Sequence, residues 1–113
     1  MTSRSRKNKG RRAVAELRRA ILERFSDLQP DDIIMTPTSV GGEDLHLSPA
    51  ARKHWPLCTE VKCQEKLNIW AAIEQAIANS TDHDPAVVFK RNHHPLWVAV
   101  PLDTMLEIVA YIK

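Results

Sequence analysis

The sequence is poor in glycine and cysteine and contains no long apolar run. Each shortage excludes something. No stretch approaches the roughly 18 consecutive apolar residues that a membrane-spanning helix needs, so no membrane partner is expected. The N-terminus is basic, but no apolar stretch follows it, and it does not read as a secretory signal. Two cysteines, Cys58 and Cys63, are too few for a disulfide framework. An intracellular, reducing compartment, the cytoplasm, is the expected location. The two cysteines stand five positions apart, so one strand would turn them to opposite sides, and no Cys-x-x-Cys pair exists. A zinc site built from them with His46, His54, His93 or His94 is therefore not expected. Of three glycines, two form the single Gly-Gly pair, Gly41-Gly42, which signals a turn. No internal repeat is present.

What remains is ordinary in amount and uneven in placement. The 113 residues suit one domain with a modest core. Apolar residues make up 43% and charged residues 27%, as in a typical globular chain. The net charge of +2 hides an asymmetry: residues 1–19 carry eight Lys/Arg and one acid, Glu16, while residues 20–113 carry eight Lys/Arg and thirteen acids. Arg4, Arg6, Lys7, Lys9, Arg11 and Arg12 are a footprint for a polyanion such as DNA, or else a solvated tail. Residues 1–9 have nothing apolar after Met1 and are expected to be a disordered basic arm ahead of a single domain, 10–113.

Val14, Leu17, Ile21, Leu22 and Phe25 recur at helical spacing and predict an amphipathic helix over residues 11–26. Short strands follow at 32–36 and 43–47, on either side of the Gly-Gly turn. Residues 48–56 are polar and Pro-bounded, as in a loop or short helix. A strand at 57–63 precedes a second amphipathic helix at 67–79, with Ile69, Trp70, Ile73 and Ile77 on one face. Strands at 85–90 and 96–100 flank a hairpin loop at Asn92-His93-His94, and 102–111 forms a last helix or a mixed tail. Alternation of this kind predicts a mixed sheet flanked by helices, α/β or α+β.

Within the strand at 57–63, residues two apart share a face, so Glu60 and Lys62 project together. Asp44 follows the Gly-Gly turn. If its strand pairs with that of Glu60, then two carboxylates and an ammonium converge. Two carboxylates on rigid strands suit Mg²⁺ or Mn²⁺, and the lysine can orient a water or hold a phosphate.

Asp44 followed sixteen positions later by Glu60-Val61-Lys62 resembles the signature of the PD-(D/E)XK nucleases. Lys9-Gly10 leading into a helix with Glu16, the segment Ser39 to Leu45, and Pro85-Ala86-Val87-Val88-Phe89-Lys90 resemble the archaeal-type Holliday junction resolvases of that superfamily. The resemblance spans residues 7–100. It implies a restriction-endonuclease-like α/β core with a central mixed sheet of four to five strands and helices on both faces. It further implies a Mg²⁺- or Mn²⁺-dependent endodeoxyribonuclease of branched DNA, acting in recombination or repair as a C2 homodimer. Asp44 and Glu60 become metal ligands and Lys62 the group that positions water or phosphate. Glu16 becomes a possible third carboxylate, and Glu43, standing where the family has proline, its competitor. Gln75, on a helical wheel with Asn68 and Asn79, is a further catalytic candidate, as is Gln64. A compact chain with a short basic arm suits a virus or mobile element, and then the host cytoplasm.

Blander readings stand beside these. Glu60 and Lys62 can be a surface ion pair contributing about 0–1 kcal/mol, and Glu16 a helix residue pairing locally among arginines. His93 and His94, next to Lys90-Arg91, either touch phosphate or occupy a hairpin end. Trp70 and Trp97 are expected in the core. Trp55, in the polar loop 52–56, stacks on a base, wedges into a junction or lies buried beneath the loop. Two further classes stay open: another nuclease on the same fold (nickase, repair enzyme or general endonuclease), and a nucleic-acid-binding module without catalysis. The candidate dimer surfaces are the apolar face of the second helix and the strand at 96–100.

Overall fold

The computed structural model describes residues 3–112 of the chain. The first helix, α1, runs Ser3–Arg24. Its buried stripe, Ala13, Val14, Leu17 and Ile21, has the three- and four-residue spacing that puts side chains on one face. The helix extends further toward the N-terminus than expected: residues 3–9 of the basic arm are its first turns rather than a disordered segment, and Met1 and Thr2 lie outside the described residues. Arg18 lies beside the stripe and binds the chain that follows. Its Nε donates to the Ile33 carbonyl and an Nη to the Pro30 carbonyl, both at 2.6 Å. That pins a single 3₁₀ turn (Pro30–Asp32) and strand β1 (Ile33–Met35) against the helix.

Strand β2 (Leu45–Leu47) pairs antiparallel with β1, Ile34 opposite His46. The short helix α2 (Pro49–His54) starts where the Ser48 hydroxyl accepts the Ala51 N–H at 3.1 Å. Strand β3 (Leu57–Cys63) then pairs in parallel with β4 (Asp84–Lys90), Glu60 opposite Val87. Parallel strands need a crossover, which helix α3 (Ile69–Asn79) supplies after Asn68 caps its first turn. Strand β5 (Trp97–Ala99) returns antiparallel to β4 through a turn at His93, whose φ of 61° lies in the left-handed region where histidine is one of the more tolerated residues. Helix α4 (Leu102–Ile112) ends the described chain. No helix among the described residues is long and apolar enough to cross a membrane.

The fold is thus α/β, but its strands form two sheets, β1-β2 and β3-β4-β5, instead of one central sheet of four to five strands. The reason lies at Asp44. Its N–H donates to the Thr59 carbonyl on the open edge of β3 at 2.8 Å. The next donor on that edge, the Val61 N–H, goes to the Asp44 carboxylate at 2.6 Å. A side chain therefore takes the place where a second ladder bond would form, and the two sheets meet at one residue.

The core lies mainly between α1 and the sheets, where Ile33, Leu45 and Val88 are fully buried with the α1 stripe. On the other side of the three-stranded sheet, α3 buries only Ala72 and Ala76 against Val87. Helical spacing predicts Trp70 and Ile77 on the inward face of α3, and Trp97 is expected in the core. Instead Trp70 is 73% exposed, Trp97 64%, and Ile77 more than half. The small alanines face the sheet, so α3 sits close and the bulky residues flank the contact.

Candidate functional site at the edge of β3

Asp44, Glu60 and Lys62 come together at the edge of β3. They share a cavity of about 190 Å³ with Thr36 and with Lys7 and Arg11 of α1. Asp44 reaches it because the loop 37–43 is tied at both ends. The Thr36 N–H donates to the Asp44 carbonyl at 3.0 Å and its hydroxyl to the Glu43 carbonyl at 2.7 Å. Gly42, with φ of 95°, makes the turn possible, since side chains are strained there. Arg11 joins this frame by donating to the Thr36 carbonyl at 3.0 Å.

Glu60 is buried although charged. Asn79, the last residue of α3, donates to its Oε1 at 3.1 Å, and the Lys62 ammonium stands 3.8 Å from its Oε2. Asp44 Oδ2 is held by the Val61 N–H. Burial pushes the Asp44 carboxyl above its usual range, against the opposing pull of the Val61 N–H and of the Lys62 and Arg11 charges. Burial likewise raises Glu60, and the nearby Asp44 charge adds to the rise. Burial thus outweighs the nearby cations at both acids, and Glu60 Oε2 is left facing the Lys62 ammonium alone at 3.8 Å.

The other sequence candidates lie elsewhere. Glu16 faces away from this cavity. It accepts from Lys90 at 3.3 Å in a separate groove with Lys9, Arg12, Arg19 and His93. Glu43 turns from Asp44 toward Arg52, 2.6 Å away. Gln75 is exposed, one helical turn before Asn79; it shares Asn79's side of α3 without touching Glu60. Gln64 lines a groove with Lys66, Phe89 and Trp97. Arg4 and Arg6 lie on exposed turns of α1 ahead of both cationic grooves. Trp55 is packed on the core, its Nε1 donating to Thr59 Oγ1 at 2.9 Å. His94 folds back onto the Asn92 carbonyl at 2.8 Å within the hairpin turn. Sequence reasoning misses Asn79 and Thr36 as parts of the site. The helical wheel that groups Gln75 with Asn79 holds the signal for Asn79, since the residue nearest the helix end reaches the strand edge.

Among the described residues no three His, Cys, Asp or Glu side chains are grouped to share an ion. Two carboxylates with hard oxygen donors still suit a magnesium-type ion, which keeps several waters and takes one or two carboxylates together with substrate phosphate. The upward shift of both carboxyls, caused first by burial and at Glu60 also by the Asp44 charge, fits such a role, because a divalent cation would offset the cost of keeping them ionised there. Comparison of the chain with family models, with curated proteins and with solved structures gave no match.

Proposed function

We propose that the chain is a divalent-metal-dependent endonuclease that hydrolyses phosphodiesters in branched DNA, in the manner of the PD-(D/E)XK junction resolvases. The observation that carries this reading is the meeting of a buried carboxylate, Glu60, a half-buried one, Asp44, a lysine and two α1 cations in one cavity at a strand edge. Phosphodiester hydrolysis adds a water oxygen to phosphorus and expels one ester oxygen, so negative charge grows on the phosphoryl oxygens. Lys62 is placed to neutralise that charge and to orient the phosphate. Asp44 and Glu60 would hold Mg²⁺ or Mn²⁺ through the oxygens not engaged by Val61 and Asn79. Such an ion, when bound, would supply countercharge and a water of lowered pKa. Asn79 keeps Glu60 in place, and the Val61 N–H does the same for Asp44. Lys7 and Arg11 hold flanking phosphates, with Arg4, Arg6, Lys9 and Arg12 continuing the cationic track along α1. Removing one phosphate-binding cation should lower the slope of log affinity against log salt by about 0.9. Junction resolution takes two symmetric cuts, hence two copies related by a twofold axis.

The test is cleavage of a labelled four-way junction and of the matching linear duplex, with Mg²⁺ or Mn²⁺, by the wild type and by Glu60→Ala. Paired cuts confined to the junction and abolished in the variant are expected. Cutting of both substrates, abolished in the variant, would keep a nuclease without junction preference. Tight binding with no cutting under either metal would leave a nucleic-acid-binding module.

A further inference from the structure

Helix α4 is the least supported element of the molecule. Leu102, Met105, Leu106 and Val109 recur at three- and four-residue spacing and form one stripe. All four are exposed. The inward side of α4 is anchored by Thr104, whose hydroxyl donates to the Asp84 carboxylate at 2.8 Å. An eleven-residue helix with its apolar stripe in water is marginal on its own. Beside the root of α4 lies an apolar groove of about 370 Å³ between α3 and β5, walled by Trp70, Ile73, Ile77, Pro85, Val100 and Pro101. Next to it β5 forms the edge of its sheet and carries the exposed Trp97 and Val98. Natural edge strands are commonly guarded by charge, and none of the residues of β5 is charged.

We infer that this face is the docking surface for a second copy of the chain, the α4 stripe of each copy entering the α3–β5 groove of the other. This rests on the two copies of the proposed function and adds the surface between them. Three observations favour a second copy over other occupants. The charged side chains of α4 that flank the stripe are acids, Asp103 and Glu107, which repel DNA and anionic lipid alike. Stripe and groove are both apolar and lie on the same chain, so a twofold axis satisfies both at once. The third is area. Seven exposed large apolar side chains, Trp70, Ile77, Trp97 and the four of the stripe, at roughly 100 Å² each, present on the order of 700 Å², which is about what one partner contributes to a stable interface.

The mass of the full chain in solution, without DNA or metal, tests this. Twice the 12.8 kDa chain mass is expected at micromolar concentration. Leu106→Asp in the stripe and Ile77→Asp in the groove should each weaken the dimer by about thirtyfold or more while keeping the wild-type circular dichroism. A dilution series on the unaltered chain needs no variant: tryptophan emission should shift to the red as Trp70 and Trp97 return to water. A monomer with unchanging emission at every concentration would overturn the inference. So would a dimer that both folded variants leave intact, or a chain that stays monomeric yet sediments with anionic vesicles. A monomer that still cuts DNA would remove this surface and spare the nuclease, whereas a dimer that cuts nothing would do the reverse.

Discussion

The two faces of the three-stranded sheet are built on different principles. Toward α1 the contact is made of large aliphatic residues, fully buried, with Val61 and Val88 meeting Leu17 and Ile21. Toward α3 it is made of alanines, and the same face holds Glu60, a buried charge, at the strand edge. The first face gives the molecule its stability. The second gives up packing, and with it stability, to hold a carboxylate where a ligand can reach it. A chain of this length has room for one full core, and here it is on the α1 side.

Substitutions should separate the two faces. Leu45→Ala, in the α1-side core, should cost about 2–5 kcal/mol in urea unfolding; a cost near zero would erase the distinction. Next, Mg²⁺ or Mn²⁺ at a hundred times its dissociation constant should stabilise the wild type by about 2.7 kcal/mol in thermal melts. It should leave Glu60→Ala unmoved; equal stabilisation of both would place the ion away from the β3 edge. A smaller effect concerns protons. Asp44 and Glu60 have raised pKa values in the folded chain, so the folded state binds their protons more tightly than the unfolded state does. The stability they contribute is full below the ordinary carboxylate range, about 4, and is lost as pH rises through their raised folded values. With chelator present, Glu60→Gln should therefore flatten the pH profile and melt higher than wild type at neutral pH. A variant that melts lower would mean the Asn79 and Lys62 interactions outweigh the burial. The smallest effect is expected for Trp70→Ala on the open face, within about 0.5 kcal/mol in dilute solution.

Much of this is legible in the residues, and what is not has identifiable causes. Two-residue alternation locates β3 and puts Glu60 and Lys62 on one side, and the Gly-Gly turn places Asp44 near them. The division into two sheets is hidden, because it depends on a side-chain bond from Asp44 to Val61 that no periodicity encodes. A 3.6-residue stripe marks an apolar face without saying what covers it, so Trp70 and Ile77 read as core. On α3 the smaller residues, Ala72 and Ala76, take the contact because close approach of helix to sheet requires them. The sequence neighbours of Glu16 point it toward the site, whereas its partner, Lys90, lies 74 positions away.

The tied loop before Asp44 bears on how the protein could change. Thr36 binds Glu43 and Asp44 directly, so the acid is located by the base of the loop and not by its tip. Pro37, Thr38 and Val40 nevertheless wall the cavity. Lengthening the tip is cheap, about 0.6 kcal/mol for each doubling. Residues inserted between Thr38 and Ser39 should therefore leave the melting temperature nearly unchanged and, if the proposed nuclease reading holds, alter which DNA shapes are cut; a collapse in melting would show that the tip supports the fold. The protein carries, in effect, an adjustable rim around a fixed acid, so under the proposed function its choice of substrate would be free to drift while the acid stays in place.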